Sequence, residues 1–492
     1  MDLFRTKPLA PAPHVDAGEP VEGDLKGEAT LKRVLTARHL VLLGIGAVIG
    51  AGIFVMTGQA AANHAGPAIM ISFLLAGTAC AFAGLCYAEF AAMIPVSGSA
   101  YSYTYATLGE AVAWFVGWSL VLEYLFAASA VAVGWSAYTI SLLESLARMA
   151  GIDWTFPAAL ASAPVTYANG EFRPTGSLFN LPAVLIVCAV GWLCYVGIRQ
   201  SATANAIIVA IKVSVILALI GFAAPYVDAA NWSPFIPPHE GGDRFGWPGV
   251  LRAASIVFFA YIGFDAISTA AQEAKNPQRD MPIGILGSLA ICTLLYIVVA
   301  GVLTGIMPYN LLGTAKPVAT ALENYPQLGW LKFAVEIGAV AGLTSVILVM
   351  MMGQPRIFFA MSRDGLLPPL FGKVHPKFCT PHASTVIVAI VAAFLAAFFP
   401  LGVLGDLVSM GTLLAFATVS AGILILRHTR PDLPRSFRVP AVWFVSPAGV
   451  LCCLSLIFFM GWYNWALLAA WTVIGFAIYF SYGVRHSALN KT

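Results

Sequence analysis

The chain has 492 residues, 59% of them hydrophobic and 10% charged, with a mean hydropathy of +0.84. Soluble domains carry about 25% charged residues, so the composition excludes a soluble protein and specifies a polytopic membrane protein. A net charge of +3 gives no reason to expect a nucleic-acid partner.

Residues 1–37 are polar and Pro-rich without an apolar core. They predict a largely disordered tail, no cleavable signal peptide and a first helix acting as an uncleaved anchor. A membrane-crossing helix needs about 20 apolar residues. Twelve ranges qualify: 38–62, 67–92, 110–140, 178–196, 203–224, 249–272, 283–306, 331–361, 384–400, 404–427, 442–461 and 464–483. With the N-terminus inside, nineteen of the 26 Lys and Arg fall in cytoplasmic segments, six in external ones and Lys212 within a span. The positive-inside rule therefore puts both termini in the cytoplasm. Seven of the eight cysteines lie in spans and Cys379 in a cytoplasmic loop, so no structural disulfide is expected.

Within the first span, Gly44-Ile45-Gly46-Ala47-Val48-Ile49-Gly50-Ala51-Gly52-Ile53-Phe54 places four glycines in nine residues. Each costs a helix about 1 kcal/mol relative to alanine. In lipid, freed backbone groups are expensive unless protein, water or ligand satisfies them, so a break here implies a cavity. The sixth span has its own interruption, Phe258-Phe259-Ala260-Tyr261-Ile262-Gly263-Phe264-Asp265. Paired interruptions at matching places in two five-helix halves point to a transporter site. At 1.5 Å per residue, Gly50 lies ~18 Å from Arg38, Phe259 ~15 Å from Gly249 and Lys212 ~13 Å from Thr203. All three depths fall near the midplane of a ~30 Å hydrocarbon core. Half-helix N-termini offer N–H groups and partial positive charge, and facing C-termini offer carbonyls. A zwitterionic α-amino acid fits such a pair, carboxylate on the N–H groups and ammonium on the carbonyls.

Ionisable residues inside spans are functional candidates by default. Lys212, flanked by aliphatics, reads either as a proton carrier or as a lysine that snorkels or pairs structurally. Glu123 reads as a functional acid or a packing brace, and Asp265 as a cap or brace for the second half of the sixth span. Glu89 and Glu273 are expected to form inner-gate ion pairs with Lys275, Arg279 or Arg356, and Glu336 to reach external water. Thr344-Ser345 offers hydroxyls for Na⁺, although helix hydroxyls more commonly bond back to their own carbonyls.

Gly44-x-Gly46-x-x-x-Gly50 has the wrong spacing and context for a dinucleotide loop, while Gly46-xxx-Gly50 also fits helix packing. Walker A, HExxH and GxSxG sequences are absent, which weighs against ATP-driven transport and against an enzyme.

Several longer stretches add to these. They are Tyr87-Ala-Glu89-Phe-Ala-Ala-Met-Ile-Pro95-Val-Ser-Gly98-Ser99-Ala-Tyr101, Gln272-Glu273-Ala-Lys-Asn276-Pro277-Gln-Arg279-Asp-Met-Pro282 and Met361-Ser-Arg363-Asp364-Gly365-Leu366-Leu367-Pro368. With the two interrupted spans, the ensemble resembles the amino acid–polyamine–organocation (APC) superfamily, in the bacterial branch similar to cationic amino acid transporters. The resemblance implies an all-α LeuT-type 5+5 inverted repeat with two extra C-terminal helices, twelve transmembrane helices in all. The cytoplasmic tail would occupy 1–37, the first repeat 38–224, the second 225–427, and the last two helices with the C-terminal tail 428–492. It also implies that Val48, Ala51 and Gly52, with Phe259, Ala260 and Ile262, hold the substrate backbone. Lys212 would stand in place of the structural sodium of sodium-coupled relatives, and both Lys212 and Glu123 would be linked to protons. Gln272 departs from the acidic pair usual before Glu273, which bears on the inner gate rather than on the substrate site.

The expected function is proton-coupled, secondary active uptake of L-amino acids by alternating access in the inner (plasma) membrane. Small or medium neutral substrates are favoured because the presumed pocket is apolar. No cofactor is expected beyond the proton as coupling ion, and Na⁺ is disfavoured. The partners are the L-amino acid and the lipid bilayer. The alternatives are a cationic amino acid transporter, an exchanger or a sodium symporter and, from another class, a non-transporting receptor or channel.

Overall fold

The computed structural model describes residues 5–7, 35–93, 99–168, 171–197, 202–269 and 274–490. Most of the predicted tail, Pro95-Val96-Ser97-Gly98, Gln272 and Glu273 lie outside the described residues. The main elements are α1 (Ala37–Val48), α2 (Ile69–Met93), α3 (Glu110–Met149), α4 (Leu181–Val196), α5 (Ala202–Ala223) and α6 (Gly246–Val257). They continue with α7 (Pro277–Ile306), α8 (Gly329–Arg363), α9 (His382–Phe398), α10 (Leu401–Thr429), α11 (Val442–Phe458) and α12 (Trp462–Ile478). Seven helical stretches are long and apolar enough to cross a membrane, and α1, α4, α9 and α11 are shorter apolar helices. The fold is that of an all-α polytopic membrane protein. Among the described residues the β-structure is a hairpin in a connection, Val165–Ala168 paired antiparallel with Glu171–Pro174, and a single parallel bridge between Leu35 and Ala274.

Local chemistry sets helix ends. Asn180 caps α4 by accepting from Ala183 N at 3.2 Å, and Pro182 sits in the first turn, where a missing N–H costs nothing. α4 stops where Gly197 turns left-handed at φ +81°. α3 outruns its predicted range of 110–140 and continues to Met149. Residues 141–149 are too polar for lipid but rich in helix formers, so an apolarity criterion misses them.

That extension overturns one expectation. Glu336, expected in external water, is fully buried against α3, accepting from Ser141 Oγ at 2.6 Å with Lys332 Nζ 3.8 Å away. A second correction concerns Glu89. Lys275, Arg279 and Arg356 are exposed, and Glu89 pairs instead with Arg427 at 2.7 Å and Arg435 at 3.2 Å, while Val439 N donates to it at 2.7 Å. At the end of α2, the Glu89 carboxylate turns to the end of α10 and the connection that follows it. Breaking a buried ion pair costs about 3–5 kcal/mol, because the partner charge is left uncompensated. Glu89→Ala is therefore expected to lower the melting temperature of the detergent-solubilised protein markedly; a variant that melts with the parent would show that the pair contributes nothing.

Lipid is as apolar as the helices, so close packing of small residues holds them together. Gly44 serves this role: a Cβ there would lie 2.7 Å from Ser288 Cβ of α7. On the same seam, a Cβ on Gly284 would lie 2.7 Å from Leu40 Cβ of α1.

Candidate functional site

α1 ends at Val48, Ile49 is extended (φ −72°, ψ 102°), and the helix resumes at Ala51. The sixth span breaks as well. α6 tightens into a narrow turn over Phe258–Tyr261, Ile262 leaves the helix at ψ 135°, and the chain is helical again over Ala266–Thr269. Gly263 sits between at φ +112°, where a side chain would be strained.

The two breaks meet. A Cβ on Gly263 would lie 2.9 Å from the Ala47 carbonyl oxygen, and one on Gly52 would overlap Cα and Cβ of Ala260. Val48, Ala51, Gly52, Phe259, Ala260 and Ile262 are all buried at this junction. The space beside Gly52 is occupied by Ala260, so the missing side chain lets the two broken helices touch at this point.

The carbonyls freed by the break in α1 have side-chain partners. Lys212 Nζ donates to the Gly46 and Ile49 carbonyls at 2.7 and 3.0 Å. Tyr296 Oη of α7 lies 2.9 Å from the Val48 carbonyl and 3.0 Å from the Ala260 carbonyl, joining both breaks. Tyr138 Oη donates to the Phe54 carbonyl at 2.7 Å and Thr57 Oγ1 to that of Gly52 at 3.0 Å. The N–H groups of Ala51 and Gly52 open a new helical stretch and precede its first i−4 acceptor. They form a donor set at a helix start, where partial positive charge favours a carboxylate.

Lys212 does not snorkel. It is fully buried and its ammonium is bonded to backbone rather than to water. Gly342 of α8 makes room for it, since a Cβ there would lie 3.0 Å from Lys212 Cε. Glu123 lies in a wide i→i+5 turn, Leu122–Phe126, within α3, a distortion frequent at functional sites. Its polar neighbours are Asp265 and Thr412. Asp265 accepts from Tyr124 Oη at 2.9 Å, and its carbonyl accepts from Ser268 N at 2.8 Å. The structure thus sets Glu123 near Asp265 and holds Lys212 on the break in α1, as two separate groups. Arg279 is exposed near the start of α7, and Glu273 is outside the described residues. The Thr344 and Ser345 hydroxyls donate to their own helix at Val340 and Gly342.

Sequence reasoning missed Tyr296, because a tyrosine in an apolar span carries no mark that separates it from a core aromatic. It also missed the polar links on either side of the breaks. On one side, Arg252 of α6 pairs with Asp406 of α10 at 2.5 Å, and Asn464 of α12 donates to Asp406 at 2.7 Å. On the other, Tyr101 and Lys7 each bond Asp364 at 2.8 Å. Cavities of about 330 and 280 Å³ lie elsewhere, along residues 144–155 and near the ends of α4 and α8.

The sequence pattern of the family described as amino acid permease matches residues 35–482. The chain is 48% identical over 466 residues to the branched-chain amino acid permease of Bacillus subtilis (strain 168), covering 94% of this chain and 96% of that one. It is 47% identical over 489 residues to the methylthioribose transporter of the same organism, covering 99% of each. It is 37% identical over 418 residues to the vacuolar cationic amino acid transporter 4 of Arabidopsis thaliana, covering 85% and 67%. These relatives are carriers and not enzymes. With a match over most of its length and two broken helices meeting at its centre, the chain belongs to the amino acid permease family and is an integral membrane amino acid transporter.

Proposed function

We propose that this permease takes up neutral L-amino acids with branched or other medium-sized apolar side chains, driven by protons. It works by alternating access across the plasma membrane, with both termini in the cytoplasm. Its helices form a LeuT-type arrangement of twelve spans, α1–α5 and α6–α10 as inverted repeats followed by α11 and α12. The observation that carries this reading is the junction of the two breaks, with Lys212 holding the carbonyls of one of them. Val48, Ala51, Gly52, Phe259, Ala260 and Ile262 bind the substrate main chain. Lys212 and the Glu123–Asp265 pair are the proton-linked groups, and Glu273 and Arg279 belong to the inner gate.

The side chains around the breaks, Val48, Phe259, Ile262 and Val346, are apolar, and a Cβ on Gly50 would lie 3.2 Å from Val346. That lining suits an aliphatic substrate better than a cationic one, in keeping with the name of the branched-chain relative. A second reading, uptake of methylthioribose, has the support of a relative matched over 99% of both chains. One experiment separates them. Purified protein in Na⁺-free liposomes with an alkaline lumen is expected to accumulate labelled leucine. Excess isoleucine and valine should compete, and arginine and methylthioribose should not. Displacement by methylthioribose or arginine, or a need for Na⁺ or preloaded vesicles, overturns the proposal.

A further inference from the structure

At the end of the fold where Lys7 meets Asp364, the helices α4, α8 and α9 and the connection between the last two enclose a cavity of about 280 Å³. Its walls combine Leu348, Met351, Met352 and Phe378 with a single cation, Arg356, and no acidic residue lines it. Among the described residues Arg356 has neither an ion pair nor a hydrogen bond. Other rim groups are bonded within the protein: Thr380 Oγ1 donates to the Tyr195 carbonyl at 2.8 Å, and His375 Nδ1 accepts from Lys377 N and Phe378 N at 3.1 and 3.2 Å. Lys377 Nζ lies 5.5 Å from the Phe378 ring centre and adds a second cation at the rim. Beside it, Trp192 and Leu193 of α4 are 66% and 39% exposed, which continues the apolar wall onto the outer surface of the fold.

We propose that this cavity binds the headgroup of an anionic phospholipid, with its phosphate on Arg356 and its acyl chains along α4. An unpaired guanidinium is the side chain best matched to a phosphate, to which it can donate two parallel hydrogen bonds. Basic pockets between membrane helices take anionic headgroups for this reason. Apolar walls that run into an exposed apolar helix favour a lipid over a free anion. The volume, about 280 Å³, falls just below the roughly 300–1,000 Å³ of small-molecule sites, so it suits a headgroup and not a whole lipid.

The exposed thiol of Cys379 lines the cavity and reports on it. Full-length protein carrying Cys188→Ser, in detergent, is labelled at Cys379 with a maleimide in the presence of dioctanoyl phosphatidylglycerol, dioctanoyl phosphatidylcholine or inorganic phosphate. Only phosphatidylglycerol is expected to slow labelling, by severalfold, and to raise the melting temperature. Arg356→Gln should remove both effects, and Arg356→Lys should keep part of them; Arg356 is exposed, so both variants should fold, as gel filtration will verify. Protection by phosphate alone would mean that the site takes a free anion. Equal protection by phosphatidylcholine, or protection that survives Arg356→Gln, would mean that charge does not select the ligand. Any of these three results, or no protection at all, overturns the proposal.

Discussion

Lys212→Ala is expected to abolish accumulation of substrate against a gradient in liposomes that carry only a pH difference. The lysine donates to two carbonyls, Gly46 and Ile49, at the point where α1 stops being helical. Removing it leaves two buried acceptors without a donor, each at a cost of about 1–3 kcal/mol. With about 1.4 kcal/mol to a factor of ten, even the lower bound shifts the population with this break geometry by more than tenfold. Lys212→Arg separates charge from proton exchange. It keeps a cation that can reach the same carbonyls, but a guanidinium stays protonated at every accessible pH. It is expected to retain substrate binding, read as ligand-induced stabilisation, and to lose pH-driven accumulation. Full accumulation by either variant would remove Lys212 from the coupling mechanism.

The features legible in the sequence were those in which a residue type breaks a rule of its surroundings. Glycines clustered in an apolar span, and a glycine followed by an acid in another, contradict a continuous helix in lipid. The structure has both interruptions, at Ile49–Gly50 and at 262–265. The depth of Lys212 followed from helical rise alone, and its ammonium lies at the first of those breaks. Pairings between distant segments were not legible. Lys275, Arg279 and Arg356 share a membrane face with Glu89 in the sequence, but which cation on that face a carboxylate turns to is a property of the packed bundle, and here it is Arg427 and Arg435. The same holds for Glu336, whose burial depends on a polar extension of α3. Tyr296 and the Glu123–Asp265 contact needed coordinates, since neither tyrosine nor carboxylate announces its neighbour. Gly52 is ambiguous in a different way, because helix breaking, close packing and ligand access all call for the same missing side chain.

Gly52→Leu is expected to eliminate transport while the protein still inserts into the membrane, and Gly52→Ala to reduce transport strongly. The obstacle is Ala260, whose Cα and Cβ both block the added carbon; no rotamer change moves either, and only the Cβ can be removed by substitution. Overpacking by a methyl group typically costs about 1–3 kcal/mol, and a leucine adds three more carbons to a junction that is already closed. The two broken helices would have to separate, which would pull the Val48 and Ala260 carbonyls away from their shared partner Tyr296. Because the contact is pairwise, its energy should appear as coupling between the two positions. Gly52→Ala combined with Ala260→Gly is expected to transport better than Gly52→Ala alone, since removing the Ala260 side chain returns part of the space. If Gly52 acted only by admitting the ligand, a change at Ala260 would not rescue it. Uptake rates normalised to folded protein decide between the two roles: rescue assigns Gly52 to the seam between the broken helices, and a double variant no better than the single one assigns it to the ligand.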